Sequence, residues 1–228
     1  MGIDMRSVKK EGNGIRGRLL EIACEVFAQK GYRDATIAEI CKRAGANVAA
    51  VNYYFGDKKT LYAEVWRLAF HRSLEAHSPG GGVPSDAPAE ERLRGRVLAI
   101  MQRLADPKSH EFEIIRKEMA NPTGLLAEVM RKSIEPLRRE LGNIVRELLG
   151  KYASEQQVML CQMSINAQCF NMTVPERYRK VFAAAGIKGV LPPERPKIEV
   201  IADHITRFSL AGICEIKHQL EQCELVSR

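Results

Sequence analysis

The chain has 228 residues, 45% apolar and 28% charged, which suits a globular protein that buries a core in one large domain or two modest ones. No run of about 18 apolar residues occurs, and the opening MGIDMRSVKKEGNG has no apolar stretch, so neither a membrane span nor a signal peptide is expected and the protein is placed in the cytoplasm. A formal net charge of +7 favours a polyanionic partner.

Residues 1–13 are polar and contain the Lys9-Lys10 pair, which reads as a disordered arm. Gly12, Gly14 and Gly17 match a dinucleotide fingerprint by letters alone; no strand precedes them, so the match is chance. Over residues 15–30, Leu19, Ile22, Ala23, Val26 and Phe27 recur at helical spacing, and Gly31 stops this first helix. Thr36 and Glu39 form a capping box that starts a second helix near Ile37. Its apolar face is Ile37, Ile40, Cys41 and Ala44, with Lys42 and Arg43 outward. Gly45 ends that helix, and Asn47 caps a short third one. Val48, Val51 and Phe55 form its stripe, while Ala49 and Ala50 let its backbone approach another surface closely. Helix, glycine-containing turn, helix is a helix-turn-helix signature, and its second helix is the one that enters a DNA major groove.

A fourth helix over residues 58–77 carries Leu61, Val65, Leu68 and Ala69. Residues 78–88, SPGGGVPSDAP, read as a flexible linker. Helical patterns resume over 90–105, 109–120, 122–149 and 154–173, with Pro136 kinking or splitting the third of these and Ser154 and Gln157 capping the fourth. A short helix over 175–185, a loop over 186–196 and a long helix over 197–225 follow. No alternating strand and no repeat is found. The expected fold is all-α: a three-helix DNA-binding domain over residues 1–60 and a larger helical domain over 61–228.

Catalytic and metal chemistry is hard to find. Six cysteines sit singly inside apolar helical patterns, none as Cys-x-x-Cys, and the five histidines are scattered. Buried reduced thiols are expected, with redox sensing at Cys161 or Cys169 as the alternative. No nucleophile elbow and no phosphate-binding loop occurs, so no enzyme, no cofactor and no metal is expected. Six of the eight methionines lie in the second domain, where flexible thioethers suit either an adaptable apolar pocket or ordinary packing.

The stretch AGANVAAVNYYFGDKKTLY resembles the signature of the TetR family of bacterial transcriptional regulators, met here by Ala44, Gly45, Tyr54, Phe55, Lys58 and Leu61. Phe27-Ala28 and Gly31-Tyr32 in the first helix agree with it. Two positions depart: Asn52 stands where the family usually has a phosphate-contacting Tyr, and Tyr54 where it usually has His. Residues 118–123, EMANPT, and the Gln-Cys-Phe before Asn171 resemble the CecR-type branch, which extends the likeness over nearly the whole chain.

The resemblance implies a cytoplasmic homodimeric repressor that binds a palindromic double-stranded DNA operator and is released by a small-molecule inducer. Tyr53 would meet the DNA backbone or thymine methyls and Lys58 a phosphate, with Tyr54, Val48 and Ala49 beside them. Thr36 and Asn47 would either bond phosphates or serve only as caps. The long helices over 154–173 and 197–225 would form a four-helix bundle with a second copy, through Val158, Met159, Ile165, Phe170, Ile201, Ile205, Phe208 and Ile213. The inducer would lie near the fourth helix against Phe70, Met101, Leu104, Phe112, Ile115 and Met119. Met163 and Phe170 would add to that lining, and Arg116, Gln162 and Asn166 would orient a polar end, which suits a hydrophobic or amphipathic molecule. The CecR branch points to transport or drug-efflux genes as targets. The rivals are an activator, a ligand-independent DNA-binding protein, and an enzyme with a DNA-binding appendage; the last lacks its motifs.

Overall fold

A computed structural model describes residues 14–172, 181–187 and 196–226. The expected arm over 1–13, most of the short helix expected over 175–185 and the loop over 188–195 lie outside these residues. The helices are α1 (Ile15–Asp34), α2 (Ile37–Ala44), α3 (Val48–Phe55), α4 (Lys58–Ala76), α5 (Ala89–Ala105), α6 (Glu111–Ala120), α7 (Ala127–Leu149), α8 (Glu155–Met172) and α9 (Ile198–Val226). No strand occurs among the described residues.

The helix ends follow from side-chain chemistry. Thr36 Oγ1 accepts the Glu39 N–H at 3.1 Å, but the Glu39 carboxylate turns to Lys30 Nζ at 2.7 Å, so only half of the capping box forms. Gly45 at φ 62° stops α2, and the Ala46 N–H reaches back to the Cys41 carbonyl at 2.9 Å. The full reciprocal box is made at α8. There Ser154 N–H donates to Gln157 Oε1 at 2.8 Å, and Gln157 N–H donates to Ser154 Oγ at 3.3 Å.

The described helices form two compact units. The first comprises residues 14–75 and 107–134, and its core is Leu19, Val26, Phe27, Ile40, Val51, Leu61, Tyr62 and Trp66, all closed to solvent. In it α6 packs along α1. Gly31, at φ 77°, breaks the regular helix, and one further turn runs to Asp34. A side chain at Gly31 would press on Lys117 Cβ of α6 at 3.4 Å.

The second unit comprises residues 76–106 and 135–226. Its core joins Leu93, Val97 and Met101 of α5, Leu141, Val145 and Leu149 of α7, Val158, Ile165 and Cys169 of α8, and Ile201 and Ile205 of α9. Of the residues expected to form a seam with a second copy, Val158, Ile165, Ile201, Ile205 and Ile213 are therefore spent inside this core. Met159, Phe170 and Phe208 remain exposed, beside Leu160 and Met163.

Two expectations along the chain change. Residues 78–88 are a string of tight turns folded against α5, not a flexible linker: the Gly81 N–H bonds the Ser78 carbonyl at 2.9 Å and the Val83 N–H the Gly80 carbonyl at 3.1 Å. A methyl group at Gly95 would lie 2.3 Å from the Gly80 carbonyl oxygen, so two glycine backbones touch here. The buried Arg96 staples this packing, donating to the carbonyls of Pro79 at 3.3 Å and Leu137 at 2.7 Å. Gly95→Ala is expected to cost about 2 kcal/mol or more, read as a lower urea midpoint at unchanged slope, because backbone cannot yield as a side chain tip does. The second change is at α7. It starts at Ala127 rather than near Pro122 and runs unbroken through Pro136.

Candidate nucleic-acid interface

The helix α3 has two unlike faces. Val51 and Phe55 are buried, and the Arg16 guanidinium lies 5.2 Å from the Phe55 ring centroid, within cation–π range. Ala49, Asn52, Tyr53 and Tyr54 point outward. So does Val48, which leaves the inward stripe expected of it. Tyr53 is 83% exposed and meets the Tyr54 ring edge-on, with centroids 4.9 Å apart. A large aromatic side chain left this open is available to a surface outside the chain.

The two caps keep their ends free for a second task. Asn47 Oδ1 accepts the Ala50 N–H at 2.9 Å, and both Thr36 and Asn47 are exposed. Capping uses only acceptor lone pairs, so the Thr36 hydroxyl proton and the Asn47 amide N–H groups can donate to phosphate oxygens. Lys58 opens α4, after Asp57 Oδ1 has taken the Thr60 N–H at 2.7 Å. Its ammonium lies 4.5 Å from the centroid of the Tyr32 ring, and partial burial pulls its pKa below the ordinary lysine value, opposed by the Asp34 charge. Lys42 and Lys59 are exposed on the same small domain.

Ion pairs tie the helices beneath this face. Arg16 meets Glu64 at 2.5 Å, Arg43 meets Glu25, and Arg72 meets Glu21 through both carboxylate oxygens. The hydrogen bonds from Arg72 hold the Glu21 carboxyl below its usual range. Arg43, outward as expected, is thus committed to Glu25.

The residues expected around an inducer divide between the two units. In the first, Phe70 is buried and stacked on Trp66 at 5.0 Å, Phe112 is buried, and Ile115 is half-buried. Arg116 is paired with Glu113, and Met119 is 75% exposed. In the second unit Met101 sits in the core with Leu104 packed against it, and the buried Gln162 donates to the Arg138 carbonyl at 2.6 Å. Asn166 is half-buried, whereas Met163 is 59% exposed and Phe170 is exposed as well. Met119 of the first unit and Met163 and Phe170 of the second are thus exposed. Sequence reasoning passed over Trp66, whose fully buried indole N–H has no hydrogen-bond partner among the described residues. It also gave no role to Glu118, although the EMANPT motif marked it.

None of the six cysteines is in a disulfide. Burial pushes Cys24 and Cys169 up to about 12 and raises Cys41 and Cys161 as well, which starves them of the thiolate that oxidants and alkylating agents attack. Cys214 and Cys223 are exposed on α9. A thiol titration of the native protein near pH 8 is expected to find at most these two reacting fast, and all six after unfolding. Fast reaction at Cys161 or Cys169 would revive the redox-sensing alternative.

Among the described residues no helix is long and apolar enough to cross a membrane, and no group of three or more His, Cys, Asp or Glu side chains is placed to hold a metal ion.

The comparisons with known proteins bear on this face and on the helices beyond it. Residues 19–65 match the model of bacterial regulatory proteins of the TetR family, and residues 89–213, more than half of the chain, match the C-terminal domain of the HTH-type transcriptional dual regulator CecR. The CecR regulator of Shigella flexneri is 28% identical over 160 residues, covering 66% of this chain and 71% of its own. The AcrR regulator of Shigella flexneri is 34% identical over 64 residues, 28% of this chain, and the match spans only 30% of the AcrR length. Among solved structures, a TetR-family regulatory protein from Rhodococcus RHA1 superposes with a TM-score of 0.64 at 17% identity, covering 88% of this chain and 97% of that one. The fatty acid degradation regulator FadR of Bacillus halodurans gives 0.59 at 16% identity, covering 86% and 98%, a likeness of fold alone. With the helix-turn-helix and the CecR-type C-terminal domain both matched, the chain belongs to the TetR family of bacterial transcriptional regulators.

Proposed function

We propose that the protein is a homodimeric, ligand-responsive transcriptional repressor that binds a palindromic operator and releases it when a small hydrophobic or amphipathic inducer binds its helical C-terminal part. The outward face of α3 carries this reading: two exposed tyrosines beside Ala49, with lysines flanking, at the place where a helix-turn-helix presents its recognition helix. Tyr53, Tyr54, Val48 and Ala49 face the groove, and Thr36, Asn47 and Lys58 face phosphates. Residues 1–60 serve DNA binding, and residues 61–228 serve inducer binding and dimerisation. The dimer has support of its own. Met159, Leu160, Met163 and Phe170 stay exposed on α8 and Phe208 on α9, and a two-fold interface uses such a patch twice. Release requires that the inducer favour the state that misfits DNA; equal affinity for both states would shift nothing. A dual role in activation has support in the printed name of the CecR relative, a transcriptional dual regulator. Transport or efflux genes are the targets expected from that branch.

The test is selection of bound duplexes from a random-sequence pool by the full-length protein. The recovered sites should share an inverted repeat whose half-sites lie a helical turn or more apart. A pool that never converges, or converges on a single unrepeated site, would contradict the dimeric operator-binding reading.

A further inference from the structure

The EMANPT motif at the end of α6 has no part in the face described above, yet its first residue reaches into the core beneath it. The Glu118 carboxylate accepts hydrogen bonds from three donor groups of the turn that follows. Its Oε1 takes the Thr123 N–H at 2.9 Å, the Thr123 hydroxyl at 2.8 Å and the Gly124 N–H at 3.0 Å, and the same hydroxyl lies 3.0 Å from Oε2. Thr123 Oγ1 in turn accepts the Leu125 N–H at 3.1 Å, and Gly124 takes φ 74°, so the turn is wound around one carboxylate. These backbone and hydroxyl bonds leave that carboxylate little freedom to move.

The remaining bond of Glu118 leaves the turn. The Tyr62 hydroxyl of α4 donates to Oε2 at 3.2 Å, and Tyr62 is fully buried. Its ring packs tilted on Phe27 at 4.8 Å and on Tyr32 at 5.1 Å between centroids. Tyr32 also meets the Lys58 ammonium, 4.5 Å from its ring centroid. Tyr62 and Lys58 stand one turn apart on α4, and the Tyr32 ring touches both. A chain of direct contacts therefore runs from Glu118 through Tyr62 and Tyr32 to the lysine assigned to a phosphate.

We propose that Glu118 is a positioning residue for operator binding, which through the Tyr62–Tyr32 pair fixes where the Lys58 ammonium is offered to the DNA backbone. The proposal rests on the assignment of Lys58 as a phosphate contact. Losing the Tyr62 hydroxyl removes the bond that anchors the end of that ring, the Tyr32 ring against it can shift, and the lysine gains conformations that must be given up again on binding.

The experiment is a titration of the full-length protein against a duplex selected from a random-sequence pool, at several salt concentrations. Four proteins are compared first: the parent, Tyr62→Phe, Lys58→Ala and the double variant. Lys58→Ala should lower affinity about tenfold and reduce the salt slope by about one ion. Tyr62→Phe should lower affinity about fivefold in the parent and less than about twofold in the Lys58→Ala background, the signature of two groups acting through one contact. Thr123→Ala, which loosens the carboxylate from the other side, should behave like Tyr62→Phe; far-UV circular dichroism and unfolding midpoints establish that each variant is folded. Equal losses in both backgrounds would mean that Tyr62 only supports the fold, and would overturn the proposal. Parent-like binding by Tyr62→Phe while Lys58→Ala is weakened would overturn it and leave the DNA face intact. Parent-like binding by Lys58→Ala would remove the phosphate assignment itself, and the proposal with it.

Discussion

Tyr53→Ala is expected to weaken binding to the operator by about tenfold or more while the thermal unfolding midpoint stays where it is. The expectation comes from exposure: at 83% open to solvent, the side chain touches little of its own chain besides the edge of Tyr54, so its removal leaves no cavity. A good side-chain interaction with a base edge is worth about 1–3 kcal/mol, a factor of about 5 to 150 in affinity. The contrast is Phe55, two residues further along the same short helix and buried. Phe55→Ala should lower stability by about 3–5 kcal/mol, so its effect on DNA follows from unfolding. Fluorescence anisotropy with a labelled duplex, paired with a melting curve, separates the two. A Tyr53→Ala protein with full affinity would mean that the outward face of α3 is not the reading face.

The second large effect is expected from Phe208→Asp. Phe208 is 65% exposed on α9, so a carboxylate there costs the isolated chain almost nothing. In a dimer closed through this face the new charge would be buried without a partner, once in each subunit, at several kcal/mol per copy. Sedimentation at micromolar concentration should give a mass near twice 25.6 kDa for the parent and near 25.6 kDa for the variant. Operator binding should fall with it, since one half-site alone keeps only half of the interactions. A variant that stays dimeric would move the interface elsewhere.

The helix-turn-helix was legible because its signals are local. A threonine before Ile37, a glycine after Ala44 and an asparagine before Val48 each act within one turn of chain, and the structure uses all three. The α8 helix was legible only as a helix. Apolar residues surround it: Val158, Cys161, Ile165 and Cys169 fall on one face, Met159, Leu160, Met163 and Phe170 on others. Periodicity cannot say which face meets the chain's own core, which is why two of the four seam residues of α8, Val158 and Ile165, proved to be core, as did Ile201, Ile205 and Ile213 on α9. The turns over 78–88 were misread for another reason. Gly-rich sequence reads as freedom, but here the absence of side chains permits a backbone approach to Gly95 that no other residue allows. Glu118 escaped for a third reason: one side chain reaching six residues ahead leaves no periodic trace, and only the family likeness of EMANPT marked it.

Sequence-specific DNA binding through α3 stands or falls on one affinity ratio. The full-length protein is titrated, at moderate salt, against the selected inverted repeat and against a scrambled duplex of the same length and composition. Charge alone would bind both alike, because phosphates carry no sequence information. A preference of about a thousandfold or more for the repeat is expected; equal affinity for the two duplexes would mean that α3 reads no sequence.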